Sequence, residues 1–227
     1  MANESNSNNS EMKEFFIHHG AKIVTALLIV MAIVVGANKY FESQKAEAVE
    51  QANLLGTGMT QLYAGQNDEA VAEFESQINS GKLKGVALAK AALYAGNVKF
   101  GKSDLDGAEA LFQKALDNAG SAPLVRSAAM HGLAAVKMDK ADYAAAASLL
   151  EKFVGEFGKR TGNLQDRYQK EEPVDEVPTV ADAMWKLTLV YQQLGQADKA
   201  KATAAKILKV YGDNQMIADK AQKFLAE

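Results

Sequence analysis

Four Asp-x-Ala triplets along the chain stand at the start of an apolar run with helical spacing: Asp68-Glu69-Ala70, Asp106-Gly107-Ala108, Asp142-Tyr143-Ala144 and Asp198-Lys199-Ala200. The alanines stand 38, 36 and 56 residues apart. An interval in the thirties is the length of one antiparallel helix pair, and such pairs bury their apolar faces only by stacking on one another. The first two intervals each hold one pair; the third is too long and must carry an insertion. Composition agrees, with 40 alanines and only three prolines among 227 residues, which favours helix throughout. The expectation is an all-α chain. Its helices are expected at 68–79, 86–100, 106–117, 123–137, 141–157, 180–194 and 197–210, with a last one capped by Asp213 or Asn214 and running to 225.

Residues around the triplets carry a resemblance. Gly58, Gly96 and Gly132 stand twelve positions before the first three alanines, and Phe74 and Phe112 four positions after the first two. In the fourth copy Leu187 and Tyr191 are kept, Thr188 takes the glycine position and Trp185 lies nearby; the third has Ser148 where Phe is expected. This resembles the tetratricopeptide repeat, in which small residues let paired helices approach and an aromatic fills the space between them. The resemblance implies an α-solenoid of about four helix pairs plus a capping helix, covering 38–227.

Ahead of the repeats, 23–37 holds fifteen residues without a charged side chain. A bilayer core needs about 20 residues of helix, and Phe15, Phe16 and Ile17 extend the apolar character upstream while Lys22 can snorkel. We read 17–37 as one transmembrane helix and the Asn- and Ser-rich 1–16 as a disordered polar tail. A cleaved signal peptide is the alternative, since Val35-Gly36-Ala37 suits signal peptidase, but the preceding segment carries Glu4, Glu11 and Glu14 where a short basic stretch is the rule. Lysines flank the span almost evenly, so the positive-inside count leaves orientation open.

Several function classes are excluded or disfavoured. With no cysteine there is no disulfide, thiolate metal site or cysteine nucleophile. A net charge of −3 without a basic run argues against nucleic acid. His18 and His19 are adjacent and so face different ways on a helix, and His131 reads as a packed repeat residue. Gly65-Gln66-Asn67 lacks the lysine and spacing of a phosphate loop, and Glu171-Glu172 reads as solvated charge. The expectation is a protein that is not an enzyme, with no cofactor and no metal.

A helical solenoid binds other chains on the face lined by its inner helices. Aligned from the small residues, the partner-binding candidates are Lys90, Asn97, Phe100, Arg126, Leu133, Lys137, Trp185, Lys186, Leu189 and Gln193, a mixture of cations and apolar groups suited to an extended segment. Asn97 with Lys90 is similar in kind to the Lys and Asn clamp by which some chaperone-docking repeats hold a C-terminal carboxylate. The insertion, 158–178, is expected as a long loop with a short helix around 163–170.

The layout as a whole, with Phe15-Phe16, the span, Lys39-Tyr40-Phe41, an Ala- and Glu-rich helix (Ala46, Glu47, Ala48, Glu50, Gln51, Ala52) and then divergent repeats, resembles the YfgM-like ancillary subunits of the bacterial Sec translocon. That resemblance implies a single-pass protein of the bacterial inner membrane with a cytoplasmic N-terminus and a periplasmic repeat domain. It would work beside the SecYEG channel and periplasmic chaperones in protein translocation or folding. A self-associating scaffold of a cell-envelope or filamentous assembly, with the protein as a homo-oligomer, is the alternative; a repeat protein released after Ala37 is a third.

Overall fold

The computed structural model describes residues 2–162 and 173–227, and among these every regular element is a helix. Two compact units divide the chain, Met1–Glu50 and Gln51–Glu227.

Helix α1 runs Ala2–Tyr63 without a break, so it starts within the segment expected as an irregular tail. No proline interrupts it, and the first glycine, Gly20, is one that a helix tolerates. Within the first unit its apolar residues face outward all round: Leu27, Leu28, Ile29, Val30, Met31, Ile33, Val34 and Val35 are all more than half exposed. By length and composition this helix is able to cross a membrane.

The second unit holds the rest: α2 Asn67–Asn79, α3 Gly85–Gly101, α4 Leu105–Asn118, α5 Pro123–Asp139, α6 Tyr143–Phe157, α7 Val180–Gln193, α8 Ala197–Tyr211 and α9 Gln215–Ala226. Each boundary lies within two residues of its expected place. From Gln51 onward α1 serves as the first inner helix, and the Gln51 side chain ties it to the α2–α3 loop, donating to the Lys82 carbonyl at 3.0 Å and accepting from the Lys84 amide at 2.9 Å. Inner helices α3, α5 and α7 alternate with outer helices α2, α4, α6 and α8, and α9 packs on α8 as the cap.

The repeat register differs from the sequence expectation in one place. The left-handed residue that turns each inner helix into its outer partner is Gly65, Ser103, Ala141 and Gly195, so the true intervals are 38, 38 and 54 residues. The buried alanine on the fourth residue of each outer helix is accordingly Ala70, Ala108, Ala146 and Ala200; Ala144 is exposed. Asp142 corresponds to Asp104: both cap an outer helix, accepting from the amides of Ala145 at 3.2 Å and Gly107 at 3.0 Å. Aspartate is favoured both at the cap and in the first turn, so an Asp-x-Ala triplet fits at two offsets.

With the register corrected, the crossing residues are Gly58, Gly96, Ala134 and Thr188, and the residues that fill the space behind them are Phe74, Phe112, Leu150 and Ala204. Size is traded between the two sets: where the filler is an aromatic ring the crossing residue is glycine, and as the filler shrinks the crossing residue grows. A Cβ on Gly58 would stand 2.6 Å from the Phe74 ring, and one on Gly96 2.9 Å from Phe112. Gly132 is a second close approach to Phe112, at 2.7 Å, so that ring lies between two glycines.

The insertion between α6 and α7 has firmly fixed feet. Asp175 accepts from the amides of Lys159 and Arg160 at 2.8 and 3.0 Å and from the Tyr211 hydroxyl at 2.7 Å. Arg160 donates from one Nη to both carboxylate oxygens of Asp213, at 2.9 and 3.0 Å, and lies over the Tyr211 ring at 4.7 Å. The short helix expected around 163–170 lies outside the described residues.

Candidate functional site: the inner-helix cleft

Inner helix α5 packs directly on α3 and closes the seam between them. After the insertion this changes. Helix α7 rests on α6 and α8 without comparable packing on α5, and a cleft of about 360 Å³ opens among α3, α5, the foot of the insertion and α7. Its walls include Phe100, Leu124, Ala128, His131, Val177, Pro178 and Lys186, with Asn97 at one side. Leu124 is 63% exposed, an apolar side chain left open to solvent beside the cleft.

Side chains bridge the opening. His131 Nε2 lies 3.0 Å from Asp182 Oδ2 and 2.9 Å from Lys186 Nζ, and Lys186 Nζ lies 3.3 Å from the same carboxylate oxygen. One imidazole nitrogen cannot both accept from the lysine and donate to the carboxylate, so its protonation decides which partner it takes. Asp182 is held down at about 2, chiefly by the hydrogen bond from His131, with the Lys186 charge adding to it against the opposing effect of burial.

Of the residues singled out from sequence, Asn97, Phe100 and Lys186 meet in this cleft. Lys90 is exposed on α3, one repeat before Ala128 in the cleft wall. The third-repeat candidates are displaced by the two-residue register difference. Arg126 pairs with Glu156, with one contact at 3.2 Å; Lys137 pairs with Glu109 at 2.7 Å, and Leu133 is buried. The cleft-lining counterparts of Arg126 and Leu133 are Ala128 and Ala135. Trp185 is half-buried and meets Phe224 of α9 edge-on at 6.1 Å, while Leu189 is half-buried and Gln193 is exposed at the end of α7. His131, read from sequence as packing, is the cleft residue that was missed. Its partner Asp182 lies beyond the insertion, so no local spacing announces the pair. Among the described residues, no group of three or more His, Asp or Glu side chains is placed to hold a metal.

Contacts between repeats follow the same register. Lys99 pairs with Glu75 at 2.9 Å, and at the equivalent place in the fourth repeat Tyr191 donates to Glu151 at 2.6 Å. Burial first, and then Glu151, push the Tyr191 hydroxyl up to about 12. Lys102 pairs with Asp68 and, 38 residues on, Lys140 with Asp106.

The profile of the tetratricopeptide repeat-like domain matches residues 13–165, and that of a tetratricopeptide repeat matches 182–214. The chain belongs to the tetratricopeptide repeat-like domain family. Solved structures with the same fold include MamA AMB-1, at 17% identity and a TM-score of 0.52 over 78% of this chain and 86% of that one. A MamA RS-1 double mutant gives 18% and 0.51 over 70% and 73%. A Podosopora anserina putative kinesin light chain with nearly identical TPR-like repeats gives 18% and 0.51 over 76% of each chain. At these identities the likeness is one of fold alone. No curated protein matches the chain. A tetratricopeptide repeat array is a protein-interaction scaffold, and that is the function class of this domain.

Proposed function

We propose that this protein is a membrane-anchored scaffold whose inner-helix cleft holds segments of other proteins, and that it serves the translocation or folding of exported chains. The observation that carries the reading is the cleft itself: apolar walls and hydrogen-bond donors converge where the inner-helix stacking of a tetratricopeptide array is interrupted. Helix α1 supports the anchor, because its apolar residues around 24–35 are exposed on every side. Tyr40 and Phe41 follow at the end of the apolar stretch, where aromatic rings favour a membrane interface. In this reading the N-terminus is cytoplasmic and the repeats lie across the inner membrane in the periplasm, beside the SecYEG channel and periplasmic chaperones. The likeness of the layout to the YfgM-like subunits supports that placement.

Crosslinking in native membranes followed by identification of the attached chains tests this. Adducts with translocon subunits, chaperones or exported chains are expected; adducts only between copies of this protein would contradict it. The chain has no cysteine, so single cysteines replacing Ser5 and Ser43 report topology without background. An impermeant maleimide outside the inner membrane is expected to label position 43 and spare position 5.

A further inference from the structure

The cleft has a chemical polarity that narrows its ligand. We propose that it receives an extended acidic peptide segment, a leucine-sized side chain entering between Phe100, Leu124 and Pro178 while a neighbouring carboxylate takes the place of Asp182 on Lys186 and His131. This rests on the reading that the cleft holds a partner chain.

Polar side chains among the described lining residues offer hydrogens: Lys186 carries a charge, Asn97 an amide, His131 an imidazole and Ser127 and Thr179 hydroxyls, and no acid among the described residues lines it. The negative charge that balances them comes from the chain itself. Asp182, just outside the lining, places one oxygen on both Lys186 and His131, at 3.3 and 3.0 Å. It occupies the position an incoming carboxylate would take. With its side chain 41% exposed it is open to water and to competitors, and contacts of that kind exchange readily. Lys90, exposed on α3, makes no ion pair among the described residues and offers a second cation on the same inner-helix face. Among the described residues the charged groups on that face are thus Lys90 from α3 and Asp182 and Lys186 from α7, with the His131 imidazole of α5 between them. With the Asp182 side chain turned out to water, the Lys186 ammonium is left facing the cleft. A cleft of about 360 Å³ holds one or two apolar side chains and no folded element, so the ligand must be extended.

The test uses the full chain in detergent micelles and the fluorescently labelled peptide Ser-Leu-Glu-Leu-Glu-Ser, with analogues carrying Gln or Lys in place of Glu, read by anisotropy. The Glu peptide is expected to bind about fivefold tighter than the Gln peptide, and the Lys peptide weakest. Lys186→Met and Lys186→Gln should each abolish the Glu-to-Gln difference with helicity unchanged, and Asp182→Asn should tighten the Glu peptide by about threefold as the internal competitor is removed. Equal binding of the Glu and Gln peptides, tighter binding of the Lys peptide, or weaker binding by Asp182→Asn overturns the acidic assignment while leaving a docking cleft. Absence of binding by all three peptides, with Leu124→Arg also without effect on crosslinking in membranes, removes the cleft reading itself. A dimer detected by sedimentation and lost in Leu124→Arg would assign the face to a second copy and overturn the proposal.

Discussion

Helices α3 to α6 and helices α6 to α8 solve the same stacking problem differently. In the first stretch the caps, the left-handed turns, the buried alanines and the Lys–Asp pairs all repeat at 38 residues, and α5 lies directly on α3. In the second the interval is 54 residues, the Asp175 and Arg160 contacts take over from periodic packing, and the inner seam is spanned by His131, Asp182 and Lys186 instead of by apolar contact. Where α5 stacks on α3 at the 38-residue interval, that seam is filled. An insertion that holds α7 to its outer neighbours opens the next seam while the core behind it stays continuous from Met130 through Phe153 to Ile217.

The sharpest way to break this comparison lies in the regular half. Phe112 is fully buried between Gly96 and Gly132, so Phe112→Ala is expected to destabilise the domain by about 3–5 kcal/mol. Gly96→Ala should overpack the same place by about 1–3 kcal/mol. If size is traded as the four repeats suggest, Gly96→Ala combined with Phe112→Leu will be more stable than the sum of the single changes allows, measured as urea midpoints in a double-mutant cycle. Strict additivity would break the size rule.

In the interrupted half the largest effect is expected at Asp175. Asp175→Ala removes the acceptor of two amides and of the hydroxyl of the buried Tyr211, whose proton is held tightly by burial and then by that carboxylate. A loss of about 2–3 kcal/mol is expected, together with faster proteolysis within the insertion. Unchanged proteolysis would mean that the feet are held by something other than Asp175.

Ala141 sharpens the register. Its φ of 58° places a side chain in the left-handed region that Gly65 and Gly195 occupy at the equivalent turns, so Ala141→Gly is expected to stabilise by about 1 kcal/mol. The same change at Ala144, a helical position, should destabilise by a similar amount. If both destabilise, the 38-residue register fails.

The smallest effect belongs to the bridge. Folding lowers the Asp182 carboxyl from 3.8 to about 2, so its contribution is present above pH 4 and is lost as the pH falls from about 4 toward 2. Half-exposed, it is a weak contributor, and the difference between the native chain and Asp182→Asn should narrow over that interval. A difference independent of pH would show that the carboxylate charge is not what bridges the cleft.

Much of this was legible in the sequence, because helix boundaries follow from caps, glycines and apolar spacing that act locally. Asp104 and Asn214 both mark helix starts in the structure. The third repeat slipped by two residues because Asp142 satisfies the motif from the cap position, and the slip carried Arg126, Leu133 and Lys137 off the cleft. Ala141 held the correcting signal, as the counterpart of Gly65 and Gly195, but an alanine announces no positive φ. His131 was illegible for a different reason: its chemistry comes from Asp182 and Lys186, which only the return of the chain after the insertion brings within 3.0 Å.

Site-specific photocrosslinking tests the central claim most directly. A photoreactive residue at Leu124, exposed beside the cleft, is compared in native membranes with one at Lys152, exposed on outer helix α6. The account predicts a discrete adduct from position 124 that the peptide Ser-Leu-Glu-Leu-Glu-Ser competes away, and none from position 152. Adducts from position 152 alone, or an adduct at 124 that the peptide leaves untouched, would contradict it.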